Sequence, residues 1–159
     1  PHEGEAHHRQ EDESGLMRLT TSRKPSPRTR RIARTLANYL GVSYTTRGKS
    51  GLDGDAIWIV VVEDHGNPSG LSRRGGGGEE VLRFSVSFEG ETKRGRTERP
   101  VVVGKEDEAR KVAEFFGIEY APGSGADKEV RVGGQKIELF DGGDLVLRLN
   151  TSGRIFGAE

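Results

Sequence analysis

Between Thr20 and Arg30 the chain reads TTSRKPSPRTR. The hydroxyls of Thr20, Thr21, Ser22 and Ser26 stand among the cations Arg23, Lys24, Arg28 and Arg30, and the stretch holds no acid. These residue types suit an anion. Hydroxyls donate hydrogen bonds to phosphate oxygens, Lys supplies a point charge, and Arg can bond two oxygens at once. Arg31, Arg34, Arg47 and Lys49 follow within the next turns of chain. Together they make a footprint larger than one small phosphate and suited to a polynucleotide backbone. A small anionic ligand and a plain solvated basic face are the competing readings.

The positive charge is local. The 159 residues carry 25 basic and 25 acidic side chains. Residues 1–15 sum to −4, residues 16–50 to +9 without a single acid, and residues 51–159 to −5. Charge segregated in this way attracts polyanions at some cost in folding stability. The chain has no cysteine, which excludes disulfides, thiolate metal sites and a cysteine nucleophile, and fits an intracellular, cytoplasmic protein. No run approaches the ~18 apolar residues of a membrane span, and no signal-peptide pattern opens the chain. With 31% hydrophobic residues and 24 glycines, a small, loop-rich domain is expected. Residues 1–15 read as a disordered acidic tail and residues 16–159 as the folded part.

Such side chains act together only if the elements around them share one mouth. Met17 to Thr20 reads as a strand and Pro27 to Leu40 as a helix, with Ser26 as N-cap, Pro27 in the first position and Gly41 as the stop. At about 100° per residue, Ile32, Ala33, Leu36, Ala37, Tyr39 and Leu40 fall in one apolar arc. Arg28, Arg30, Arg31 and Arg34 are assigned to the other side. A strand, a hydroxyl-rich loop and a helix N-terminus form an anion-binding arrangement, because the first backbone N–H groups lack intrahelical partners. Downstream, Ala56 to Glu63 reads as a central strand buried on both faces. DHGNPSG reads as a turn, GLSRRGGGGEE as a flexible loop and Val81 to Glu89 as one alternating strand. Residues 91–99 form a smaller basic loop. Val101 to Val103 is a strand, Glu106 to Phe116 a second helix stopped by Gly117, and the remainder short strands joined by Gly turns.

ARTLANYLGVSY (Ala33 to Tyr44) aligns without gaps on ARKVAEFFGIEY (Ala109 to Tyr120), with five of twelve positions identical. This internal repeat predicts an α/β (α+β) fold of two similar halves, about 16–89 and 90–159. The halves differ at the helix mouth. The second helix opens on Glu106, Asp107 and Glu108, which suit the helix dipole; the first opens on cations that oppose it. A local violation of this kind points to function.

Enzymatic readings are weaker. RGKSG (Arg47 to Gly51) ends like a phosphate-binding loop, but Ser43 stands where its first glycine belongs. The RRGGGGEE glycines lack dinucleotide spacing. Glu63, Asp64 and His65 could ligate a metal or move a proton, but more often form a polar strand end; His2, His7 and His8 have no fixed geometry. Phe84 and Phe88 share one face of the expected strand and read as core rather than a stacking platform. No catalysis, cofactor or metal is expected.

The first segment, Thr20, Thr21, Ser22, Arg23, Pro25, Ser26, Arg28, Thr29 and Arg30, resembles the opening of the Brix domain of ribosome-biogenesis proteins. TTRGKS (Thr45 to Ser50) is similar to a second family segment. VVVEDHGNPSGL is similar to a third, through Glu63, His65, Gly66, Pro68, Gly70 and Leu71. LVLRLNTSGRIFG weakly resembles the family's closing strands. The matches run in order from about residue 17 to 156 and look closest to the short archaeal members and the small-subunit rRNA-processing branch. The resemblance implies two halves, each similar to the anticodon-binding fold of class II aminoacyl-tRNA synthetases. It implies a non-catalytic factor that binds rRNA or pre-rRNA, or a small guide RNA particle, beside other ribosome-assembly proteins, with a nucleolar location only in a eukaryote. A protein-interaction adaptor whose basic face meets an acidic partner is the alternative.

Overall fold

Strand β1 (Met17–Thr21) enters the core with Leu19, Thr20 and Thr21 essentially unexposed. The computed structural model describes residues 17–47, 52, 56–92 and 98–152; Lys49, residues 1–15 and their histidines lie outside them. After a short loop the chain forms helix α1 (Pro27–Leu40). Ser26 is extended at φ −69° and ψ 162°, and its hydroxyl accepts from the Thr29 N–H at 3.1 Å. Gly41, left-handed at φ 73°, ends the helix by donating its N–H to Ala37 O. Ile32, Ala33, Leu36, Ala37, Tyr39 and Leu40 are buried, as the apolar arc predicts. The next strands are β2 (Ser43–Tyr44), β3 (Ile57–Asp64), β4 (Asn67–Gly75) and β5 (Gly78–Arg83). They form a five-stranded sheet in the order β2-β1-β3-β4-β5, with β1 parallel to β2 and β3, and β3, β4 and β5 antiparallel.

The second half repeats this plan. It comprises β7 (Val101–Gly104), helix α2 (Glu106–Phe116), β8 (Glu119–Tyr120), β9 (Lys128–Gly133), β10 (Lys136–Asp141) and β11 (Asp144–Asn150). Its order β8-β7-β9-β10-β11 and its strand directions match the first sheet one for one. Finer details recur. Leu19 pairs with Tyr44 and Val102 with Tyr120. Arg34 lies over the Tyr44 ring at 5.6 Å and Arg110 over the Tyr120 ring at 4.7 Å. Leu19 and Ala33 are 14 positions apart, whereas Val102 and Ala109 are seven apart. The extra residues of the first half are therefore those between strand and helix, where the basic segment lies.

Both halves share one core. α1 and α2 pack with Leu19, Ile59, Leu71 and Leu82 from the first sheet and Val102, Val130, Ile137 and Leu147 from the second. On the opposite face of the first sheet Ala56, Trp58 and Val60 form a smaller cluster with Leu52 and Val62, so β3 is buried on both faces as expected.

Three sequence expectations change. GLSRRGGGGEE is mostly a hairpin, with β4 and β5 meeting at a tight Gly turn, and NPSG already belongs to β4. Composition hid this because glycine disfavours strands unless backbones come close. At Gly70 they do: a Cβ there would lie 2.9 Å from Leu82 O. Val81 to Glu89 is not one strand. The chain breaks at Phe84, and β6 (Ser85–Glu89) leaves the first sheet to pair with β11 in the second. Phe84 is consequently in the core while Phe88 is 40% exposed. Alternation cannot reveal a strand that changes sheet, since both pieces keep period two.

Candidate nucleic-acid interface

The three segments singled out in the sequence meet at the carboxyl end of β1. The Thr20 hydroxyl donates to Thr45 O at 2.5 Å, the Thr45 N–H donates to Leu19 O at 2.9 Å, and Arg47 Nη1 donates to Thr21 O at 3.4 Å. From the third segment, Gly66 O accepts from the Ser26 hydroxyl at 2.8 Å and Asn67 Oδ1 from Arg28 Nη1 at 3.0 Å. The His65–Gly66 turn, with φ 53° and 81°, makes that approach possible.

The helix mouth already holds an anion. Glu63, at the end of β3, accepts from the Thr29 hydroxyl at 2.5 Å and from the Ser26 N–H at 3.2 Å. The Thr29 hydroxyl holds its carboxyl below the ordinary range; burial opposes this and the Ser26 N–H assists. The acid that α1 lacks in its own first turn is thus supplied from a strand, which satisfies the dipole. Three of the four hydroxyl residues are committed as well. Thr20 and Thr21 are buried and Ser26 caps the helix, while Ser22 is half-buried and gives its backbone N–H, not its hydroxyl, to Val61 O. The sequence assigns all four to a phosphate; the fold turns Thr20, Thr21 and Ser26 inward as the frame of the loop.

This frame has a measurable pH dependence. The folded chain favours ionised Glu63 more than the unfolded chain does. The stabilisation is therefore complete above the usual carboxylate range and is lost as pH falls through the lowered folded value. Glu63→Gln should cost about 1 kcal/mol near neutral pH, typical of a lost cap. In urea unfolding the gap between wild type and variant should close on going from about pH 7 to about pH 3. A gap of equal size at both values would contradict the assignment.

The cations divide into two groups. Arg28 is half-buried, with Nε 2.7 Å from Glu89 Oε2, and Arg31 reaches Glu89 Oε1. Burial pushes the Glu89 carboxyl up, but the two arginines more than offset this and hold it low. Arg28 lies next to Tyr39 on the helical wheel, at the margin of the apolar arc, so its seat is partly inside. Arg23, Lys24, Arg30 and Arg34 are exposed. Among the described residues no carboxylate lies within salt-bridge distance of any of these four. Arg47 is displaced from its ordinary pKa downward by burial and then by repulsion from Arg23 and Arg74. Arg74 was missed in the sequence because its segment read as a loop. Read as a strand, the alternation of Ser72 and Arg74 places both on one face, where Arg74 Nε donates to Ser72 Oγ at 3.0 Å.

The duplicated scaffold isolates what is special about α1. Carried three residues back along both helices, the repeat alignment sets Arg30 and Arg34 against Glu106 and Arg110. In α2 those two form an ion pair at 3.0 Å. In α1 the same two positions are both positive, and they line a cleft of about 430 Å³ closed on its other side by Gly90 and Glu91. Among the described residues no group of three or more His, Asp or Glu side chains is placed to hold a metal, and no helix is long and apolar enough to cross a membrane.

No family model matches the chain. A "probable Brix domain-containing ribosomal biogenesis protein" of Methanothermobacter thermautotrophicus is 44% identical over 81 residues, 46% of this chain and 52% of that protein. One from Methanosarcina barkeri is 40% identical over 79 residues, so the match again spans about half of the relative's length. A likewise named protein of Methanosarcina mazei is 28% identical over 159 residues, covering 86% of this chain and 98% of that one. Among solved structures, an archaeal Imp4-like protein superposes with a TM-score of 0.67 at 30% identity, over 84% of this chain and 95% of that one. A ribosomal biogenesis protein described as probable, from Aeropyrum pernix, superposes with a TM-score of 0.62 at 21% identity and shares the fold.

Proposed function

Since the chain belongs to the Brix domain family of ribosomal biogenesis proteins, we propose that it is a non-catalytic RNA-binding factor that holds rRNA or pre-rRNA through the outer face of α1 and the β1–α1 loop. The observation that carries this reading is the contrast between the halves: one scaffold has a neutral Glu–Arg pair on its helix and the other an Arg–Arg pair facing a cleft. Adjacent unpaired like charges cost stability, and a polyanion removes that cost. Arg23, Lys24, Arg30 and Arg34 supply the phosphate contacts. Arg47 and Arg74 extend the positive field on the neighbouring face. Arg28 and Arg31 hold the helix against Glu89, while Thr20, Thr21, Ser22 and Ser26 shape the loop. Lys49, from the second of the three segments, belongs to the same basic region by sequence.

Crosslinking the chain to total RNA from an archaeal cell, followed by sequencing of the bound fragments, tests the reading. Enrichment of ribosomal RNA or its precursors is expected, and fragments distributed in proportion to abundance would overturn it. In titrations, affinity should fall with salt at a log–log slope of about −0.7 per phosphate contacted on single strands. Saturable binding to a purified assembly protein after removal of RNA would instead favour an adaptor.

A further inference from the structure

The cleft beside α1 has more chemistry than backbone binding needs. Arg30, Arg34 and Asn38 stand four residues apart on one stripe of the helix, with Thr35 between them, and all four line the cleft. The repeat alignment gives the same stripe of α2 as Glu106, Arg110 and Glu114. An alternating, self-neutralising row has thus become two cations followed by an amide. From Arg30 to Asn38 the stripe rises about 12 Å, and a cleft of about 430 Å³ falls within the range of sites that enclose small ligands.

The opposite wall is fixed rather than floppy. The Gly90 N–H donates to Val146 O at 2.7 Å, and a Cβ at Gly90 would sit 3.0 Å from Leu145 O and 3.1 Å from the Phe88 ring. The wall therefore lies flat against the second sheet, and Glu91 follows at its rim. Among the described residues no hydrogen bond occupies the Asn38 amide or the Glu91 carboxylate. A carboxylate at the rim of a phosphate site is unfavourable unless something positive or hydrogen-donating comes between them.

We propose that this cleft is a base-reading subsite that takes one unstacked nucleotide of the bound strand, with its flanking phosphates on Arg30 and Arg34 and its base edge against Asn38 and Glu91. The proposal rests on the RNA-binding reading above and deepens it. Single-stranded RNA is read through splayed-out bases hydrogen-bonded along their edges. The Glu91 carboxylate only accepts, while the Asn38 amide accepts at Oδ1 and donates at Nδ2, so the site favours a base edge with an exocyclic amine beside a ring-nitrogen acceptor. On their Watson–Crick edges adenine and cytosine present that pair; guanine sets its amine beside an N–H, and uracil presents two carbonyl oxygens around an N–H.

The test is fluorescence anisotropy with labelled single-stranded RNA ten-mers, uridine throughout except for adenosine, cytidine or uridine at one central position. Wild-type protein should bind the adenosine or cytidine oligomer about tenfold more tightly than the all-uridine one. The double variant Asn38→Ala, Glu91→Ala should reduce that preference to about twofold or less, with an unchanged salt slope because the cations are untouched. A wild type without preference, or a preference that survives the double variant, overturns the subsite while leaving RNA binding intact. If no oligomer binds and a glutamate-rich peptide does, the RNA reading itself fails. Both substituted side chains are exposed, so the variant should unfold thermally with the wild type, which separates lost recognition from lost structure.

Discussion

Arg30→Glu is expected, on the proposed RNA-binding role of α1, to weaken RNA binding by about tenfold or more while leaving the fold at least as stable as before. The affinity loss follows from removing one charge-assisted phosphate contact and adding a repulsive carboxylate, together worth about 1.5–3 kcal/mol. The stability expectation comes from the molecule's own second half. There Glu106 and Arg110 occupy the equivalent positions and form an ion pair at 3.0 Å. A glutamate at position 30 would meet Arg34 four residues on, in the favourable order and at the positive end of the helix, for a gain of about 0.3–0.5 kcal/mol. Function and stability therefore move in opposite directions, an outcome that unfolding cannot imitate. Arg28→Glu makes a poorer test, since it would set a carboxylate against Glu89 where a 2.7 Å ion pair now stands. Anisotropy titration together with urea unfolding of the same sample decides the matter. Unchanged RNA affinity in Arg30→Glu would remove α1 from the interface.

Lys128→Met will cost about 3–5 kcal/mol, the usual loss when one partner of a buried charged pair is deleted. For a chain of this size that lowers the unfolding midpoint by roughly 10 °C. Lys128 is 2% exposed; its ammonium donates to Tyr39 O at 3.0 Å and lies 5.5 Å from the Tyr39 ring. It thereby satisfies a carbonyl in the last turn of α1, where a cation also suits the dipole. Asp141, 1% exposed, is its cross-strand neighbour. Burial and then Asp141 push the Tyr39 phenol upward, so its hydroxyl remains protonated and donates to Phe140 O at 2.9 Å. Deleting Lys128 removes the positive charge across the strand from the buried Asp141 and the donor to the Tyr39 carbonyl at the helix end. The pair Lys128→Met, Asp141→Leu should recover most of the loss. Thermal unfolding followed by circular dichroism measures both, and a single variant within about 1 kcal/mol of wild type would refute this role for the ammonium.

α1 shows how far the sequence could be read and where reading stopped. Its bounds, cap, stop and apolar face follow from local rules, and the repeat with residues 109–120 correctly foretold a second helix, its glycine and its strand. The same local rules found α1 wrongly charged at its mouth. The structure supplies Glu63 at one end and Lys128 at the other, from positions far along the chain. Nothing in the spacing of a sequence says which distant acid will come to a helix terminus. Arg28 shows the same limit from the other side: it was assigned to the polar face with its neighbours, but the Glu89 that seats it half-buried arrives on a strand that changes sheet. The β4–β5 hairpin was hidden by its glycines, and Arg74 with it. What remained legible was the net result, a patch of cations unmatched by nearby acids.

The path of β6 has a consequence for the order in which the molecule is made. Every strand of the first sheet exists once residue 83 has been synthesised. β6 follows at once, yet its partner β11 comes near the end, with Ser85 opposite Asn150. During synthesis β6 therefore waits with an open edge while some sixty residues are added, a long-range closure of the kind that slows folding. Its Glu89 can meanwhile hold Arg28 and Arg31 within the finished half. The backbone pairing of the first sheet can thus precede that of the second, although the two share one core, and the cleft wall at Gly90 gains its bond to Val146 O only when β11 docks. Assembly of the chain, in this view, proceeds from the basic helix outward and finishes at the wall of its own cleft.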